Sequence, residues 1–155
     1  MSKPAGMSII VKRITRITVS LIFLYGVYII LHGHLSPGGG FAGGVVVALS
    51  FIHIVLAFGK DFALGRIKEE FLSFWESLGG LFFWGLAVLG FLIGGIFFLN
   101  ALPKGKAFDL FSSGSILLSN IAIFFKVSAG LFIIFLGLAG FRIMQQPEVS
   151  QKERQ

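Results

Sequence analysis

The sequence predicts an all-α integral membrane protein of four transmembrane helices, with its N- and C-termini cytoplasmic. Three observations predict it. Hydrophobic residues make up 55% of the 155 residues and charged residues only 13%, with a mean hydropathy of +0.91; a soluble domain carries roughly 25% charged residues. The apolar residues gather into long charge-free runs, and the basic residues fall in the short segments between them. A formal charge of +6 would suit nucleic acid only if the basic residues clustered on one folded surface. Scattered as they are, they fit a lipid bilayer and no nucleic acid.

The first run is the longest. From Ile17 to Gly59 there are 43 residues without Asp, Glu, Lys or Arg, about twice the helix length a hydrocarbon core accommodates. The run must cross twice. His32-Gly33-His34-Leu35-Ser36-Pro37-Gly38-Gly39-Gly40 is the break. Ser36 can cap a new helix, and Pro37 suits its first position because the missing N–H would be unpaired there. The expected helices are residues 14–31 and 37–58.

A second charge-free run ends at Asn100 and the Pro103-Lys104-Gly105-Lys106 turn, giving a third helix at residues 78–99. The fourth, residues 115–141, is apolar except for Lys126. Between the second and third helices, residues 60–76 alternate acids and bases with Phe71, Phe74 and Trp75 in helical spacing. This segment is expected to lie along the membrane surface.

Orientation follows the excess of Lys and Arg on the cytoplasmic side. Lys3, Lys12, Arg13, Arg16, Lys60, Arg66, Lys68, Arg142, Lys152 and Arg154 share one side, against Lys104 and Lys106 on the other. Four crossings satisfy the rule. The first helix lacks a small-residue cleavage pattern after it and is expected to be retained.

The chemistry the chain can carry is narrow. It has no cysteine, so it offers no disulfide and no thiolate for zinc, iron–sulfur clusters or c-type haem, and no metal or cofactor is expected. No Ser/His/Asp or paired-carboxylate arrangement stands out, so no catalytic residue is assigned. Gly38, Gly40 and Gly43 match G-x-G-x-x-G, with Asp61 beyond. A dinucleotide site needs a strand before that motif, and here a membrane helix precedes it. Gly39/Gly43 and Gly40/Gly44 instead form two overlapping G-x-x-x-G pairs, which let helix backbones approach. Free N–H groups at this helix start, lining a wet cavity, are the other reading.

Lys126 is the most informative residue. An ammonium near the bilayer centre costs about 2.5–3.5 kcal/mol on the insertion scale. Helical steps from it reach Ser119, Ala122, Ala129, Gly130, Ile133, Gly137 and Gly140, nearly all small, while Phe124, Leu131 and Phe135, flanked by Ile121 and Phe132, lie opposite. Small residues mark a protein-packed face, so Lys126 is expected to face protein. Two roles follow: a place on a buried ion route, or a structural ion pair. The acids all fall outside the expected spans, so its counter-ion is expected from a partner chain. His53, inside the second helix, could relay protons or simply pack. Asn120 sits in the fourth helix, where an interhelical hydrogen bond is its simplest use. His32 and His34, two apart, diverge on a helix and make a poor metal pair, better suited to a turn.

Leu31-His32-Gly33-His34-Leu35-Ser36-Pro37-Gly38-Gly39-Gly40-Phe41-Ala42-Gly43-Gly44 resembles the G-H-x-x-P-G-G-G-F-x-G-G signature of the MnhB/MrpB subunit of multisubunit sodium/proton antiporters. His34 and Pro37 belong to that motif. Phe108-Asp109-Leu110-Phe111-Ser112-Ser113-Gly114-Ser115, with Asn120 and Lys126-Val127 after it, is similar to the segment entering that family's last helix. The resemblance covers roughly residues 33–140. It implies a small multi-pass subunit in the cytoplasmic membrane, partnered by the other membrane subunits of an Mrp-type cation/proton antiporter module. The same module occurs in membrane-bound hydrogenases and related respiratory complexes. Leu35-Ser36, where antiporter relatives often have Asn-Ala, and the lysine at 126, which some relatives lack, point to that branch with its hydrogenase or related redox arm. A purely structural scaffold that seals larger transport subunits, and a stand-alone homo-oligomeric transporter, are the alternatives. The missing intramembrane acids argue against the second.

Overall fold

The structure is a computed structural model. It describes residues 7–152 apart from 36, 60, 61, 63, 64, 66, 67, 101, 107, 108, 110 and 111, with side chains described up to residue 139. Four helices account for most of it: α1 (Ile9–Leu31), α2 (Gly39–Phe58), α3 (Glu69–Gly94) and α4 (Ser115–Lys152). Each is long and apolar enough to span a membrane, α4 through its segment Ser115–Ala139. No strand occurs among the described residues.

The ends at Leu31 and Phe58 and the start at Ser115 fall where expected, and the other five ends differ. α1 begins at Ile9, not residue 14, because Ser8 caps it: its Oγ accepts the Val11 N–H at 3.5 Å. Charge does not end a helix, and Lys12, Arg13 and Arg16 continue α1 beyond its apolar part, where long cationic side chains can reach water. α2 begins at Gly39 rather than Pro37. Gly38 and Gly39 both have positive φ, +116° and +53°, a conformation that glycine adopts without a Cβ clash, so Pro37 stands in the turn. The cap assigned to Ser36 lies outside the described residues. α3 starts at Glu69, within the segment expected to lie on the surface, and stops at Gly94, five residues early. Glu69 and Glu70 occupy its first turn, where acids favour the helix dipole, and left-handed Gly95 closes it with an N–H bond to the Phe91 carbonyl at 2.7 Å. α4 continues past residue 141 to Lys152.

The helices pack in the order α1–α2–α4–α3, with a smaller contact between α1 and α4. Glycine sets the spacing at each seam. A Cβ on Gly26 of α1 would lie 3.3 Å from the Gly43 carbonyl of α2, and one on Gly79 of α3 would lie 2.8 Å from the Ala122 carbonyl of α4. Between α2 and α4 the same role falls to Gly40 and Gly44. Close backbone approach gains dispersion energy where lipid supplies no hydrophobic drive. One apolar cluster, Val55, Leu72, Phe132 and Leu136, joins α2, α3 and α4.

Because α4 is central, it buries two faces rather than one. Phe132, which the sequence placed beside the lipid face, is 1% exposed and packs its ring against Phe51 of α2 at 5.6 Å. The side turned outward is left to residues such as Leu131, Ile134 and Leu138, all exposed.

Candidate functional site

Lys126 lies one residue from the middle of the span Ser115–Ala139. On α4 it is followed at one turn by Ala129 and Gly130 and preceded by Ala122. Ala122 and Ala129 are buried. Facing this stripe on α3 is Gly79-Gly80. A Cβ on Gly79 would lie 2.8 Å from the Lys126 backbone nitrogen, and one on Gly80 would lie 3.5 Å from Lys126 Nζ. The lysine chain therefore lies along α3, in space that a pair of glycines leaves open.

Its partner is Glu76 of α3, whose Oε1 is 3.6 Å from Nζ. This corrects the expectation that no acid enters a span and that the counter-ion comes from elsewhere. Glu76 is the eighth residue of α3. Its carboxylate also lies over Gly130, where an added Cβ would sit 3.6 Å away. Sequence reasoning missed it because charge-free runs were used to draw the helix, and Glu76 stands at the edge of one. The available signal was Gly79-Gly80, a small-residue pair one turn beyond the acid. With Glu76 inside α3, missing acids no longer argue against a stand-alone transporter. The side chains of Lys126 and Glu76 are 54% and 37% exposed within this chain, so the outer flank of the pair is open.

The glycine motif builds a second polar contact, between α2 and α4. The Gly40 N–H donates to Asn120 Oδ1 at 3.3 Å. A Cβ on Gly40 would collide with the Asn120 backbone carbonyl, and one on Gly39 would lie 3.0 Å from Oδ1. Gly33, in the turn, crowds the same amide, 2.8 Å from Nδ2 by the same construction. Gly44 carries the seam onward against Val127, while Gly43 faces Ile30 and Gly26 of α1. The glycines thus serve two seams, and Gly38 supplies the turn. At the start of α2 the Gly40 N–H meets Asn120 rather than an open cavity. Asn120 Nδ2 is buried without a hydrogen-bond partner among the described residues, as are His34 Nδ1 and Ser113 Oγ.

His34 Nε2 is 3.1 Å from the Asp109 carbonyl, which ties the turn after α1 to the segment before α4. Pro37 is exposed beside it. Nearby, Asn100 organises the start of α4: its Nδ2 donates to the Ser113 carbonyl at 2.9 Å, and its Oδ1 accepts the Ser115 N–H at 2.8 Å and the Ser115 hydroxyl at 3.0 Å. His32 closes α1, its Nδ1 3.1 Å from the Tyr28 carbonyl. Phe108, Leu110 and Phe111 of the second motif lie outside the described residues.

The three residues read together as an ion route do not converge. Lys126 turns to α3 and Asn120 to the start of α2. His53 is two residues from Phe51, which packs on α4, so it turns to the other side of α2.

The sequence model described as a domain related to the MnhB subunit of Na+/H+ antiporter matches residues 10–133. The chain belongs to the MnhB family. Its four apolar helices and this membership make it a multi-pass membrane protein. Among MnhB-like proteins it is 38% identical over 119 residues to an uncharacterised protein of Methanocaldococcus jannaschii, covering 72% of this chain and 44% of that protein. It is 34% identical over 84 residues to a putative antiporter subunit mnhB2 of Staphylococcus saprophyticus, covering 48% of this chain and 60% of that one. The fold matches a chain in the structure of the membrane-bound sulfane sulfur reductase, an archaeal respiratory membrane complex, with a TM-score of 0.73 and 29% identity over 89% of this chain and 62% of that chain. The matched part of this MnhB chain spans about half the length of the two proteins and 62% of the chain in the respiratory complex.

Proposed function

We propose that this MnhB-family chain is a membrane subunit of an Mrp-type cation/proton antiporter module, working inside a redox-driven ion-pumping complex in the cytoplasmic membrane. Family membership supports the module, and likeness to a chain of a respiratory membrane complex supports the redox-driven setting. Both termini are on the cytoplasmic side in this reading, on the side of the basic excess.

The observation that carries the reading is the Lys126–Glu76 pair. Ionisable residues held within a membrane mark ion or proton routes by default. A carboxylate beside the ammonium offsets part of the cost of holding either charge within the membrane. Its half-open flank is where a neighbouring subunit of the module completes the route. Asn120 and the glycines hold the helices that carry the pair.

Gentle solubilisation and identification of the co-purifying subunits tests the setting: Mrp-type membrane subunits together with redox subunits are expected, and antiporter subunits alone would refute the redox arm. Lys126→Met tests the role. The subunit should still assemble while ion transport is lost. Assembly with wild-type transport would leave the scaffold reading in its place.

A further inference from the structure

A cavity of about 720 Å³ opens between all four helices. Its wall is largely aromatic: Phe23, Phe51, Phe71, Trp75, Phe124 and Phe125. Its cationic lining residue is Lys68, at the N-cap of α3. Lys68 stands at the end of the molecule where α1 begins and α2 finishes, since the Met7 N–H bonds the Ala57 carbonyl and Leu72 packs on Val55. From Lys68 to Trp75 the helix rises about 10 Å. The cavity therefore runs from the basic end of the bundle into the apolar slab.

The wall decides the occupant. Helices dock through small residues, and this wall is built of bulky rings instead. Bulky rings with gaps between them suit a flexible chain that can follow their contour. A basic residue at the mouth, between transmembrane helices, attracts a lipid headgroup of negative charge. We propose that the cavity takes one hydrocarbon chain of an anionic lipid, with its headgroup phosphate on Lys68.

The test uses the complete complex in vesicles of equal parts phosphatidylglycerol and phosphatidylcholine, with a benzophenone amino acid in place of Phe71. After illumination, the adduct on this chain is identified by mass. Phosphatidylglycerol should exceed phosphatidylcholine about fivefold, equivalent to about 1 kcal/mol for one basic residue near the surface. Lys68→Gln should bring the two to parity, and Lys68→Arg should keep the preference. A peptide adduct to a neighbouring subunit, equal labelling by both lipids with Lys68 present, or no adduct would overturn the proposal. The readout is independent of ion transport, so it stands or falls apart from the role given to Lys126.

Discussion

Lys126 Nζ and Glu76 Oε1 meet at 3.6 Å across the seam between α4 and α3, and two adjacent glycines shape that meeting. Gly79 lets the helix backbones touch, and Gly80 leaves the volume that the lysine chain fills. Lys126 is near the middle of its span and Glu76 is the eighth residue of α3, and the geometry of the pair depends on helix spacing as much as on charge.

Gly79 should therefore tolerate no side chain. Gly79→Ala places a carbon 2.8 Å from the backbone of both Ala122 and Lys126. Overpacking of this kind costs about 1–3 kcal/mol. Gly85, in the same helix, has nothing within 4 Å of an added Cβ, and Gly85→Ala should be neutral or gain about 0.5–1 kcal/mol from helix propensity. Thermal unfolding of the solubilised complex should show a lowered midpoint for the first variant only.

Asn120 should matter through the glycine turn. Asn120→Ala removes the acceptor for the Gly40 N–H, and intramembrane polar contacts of this sort are worth about 0.6–1.7 kcal/mol. Gly40→Ala should cost more, since it drives a Cβ into the Asn120 backbone. Protease resistance of the two variants in membranes gives the order; equal resistance would contradict it.

The sequence made the four spans legible, because they rest on composition and on the helical period; Lys126 reaches Glu76 on one side and is 54% exposed within this chain. It made less of the ends. Gly38 and Gly39 displaced the start of α2 through backbone conformation, which residue type permits but does not demand. Glu76 was hidden for a related reason: a helix can carry an acid across its entry turns when the neighbouring helix supplies the opposite charge, and that neighbour is 50 residues further along the chain. The direction of Phe132 needed the packing order, since a central helix has more than one buried face.

Asn100 carries a role that no pattern announced. It accepts the N–H and the hydroxyl of Ser115 and so substitutes for a cap at the start of α4. Loss of a capping group costs about 0.5–2 kcal/mol. Asn100→Ala should accelerate hydrogen exchange in the first turn of α4 without changing that of α2.

Orientation can be read directly because the chain has no cysteine. Lys104→Cys should react with a membrane-impermeant maleimide added outside intact cells, and Glu69→Cys should react only after the membrane is opened. The reverse pattern would invert the topology proposed above.

The most direct test is a double-mutant cycle on ion transport by the assembled complex in sealed vesicles, using Lys126→Met, Glu76→Gln and both together. If the pair acts as one unit on the ion route, each single variant slows transport at least about tenfold, equivalent to about 1.4 kcal/mol on the barrier, and the double variant is no slower than the worse single. Wild-type transport in either single variant, with the subunit present at its normal level, would contradict the account.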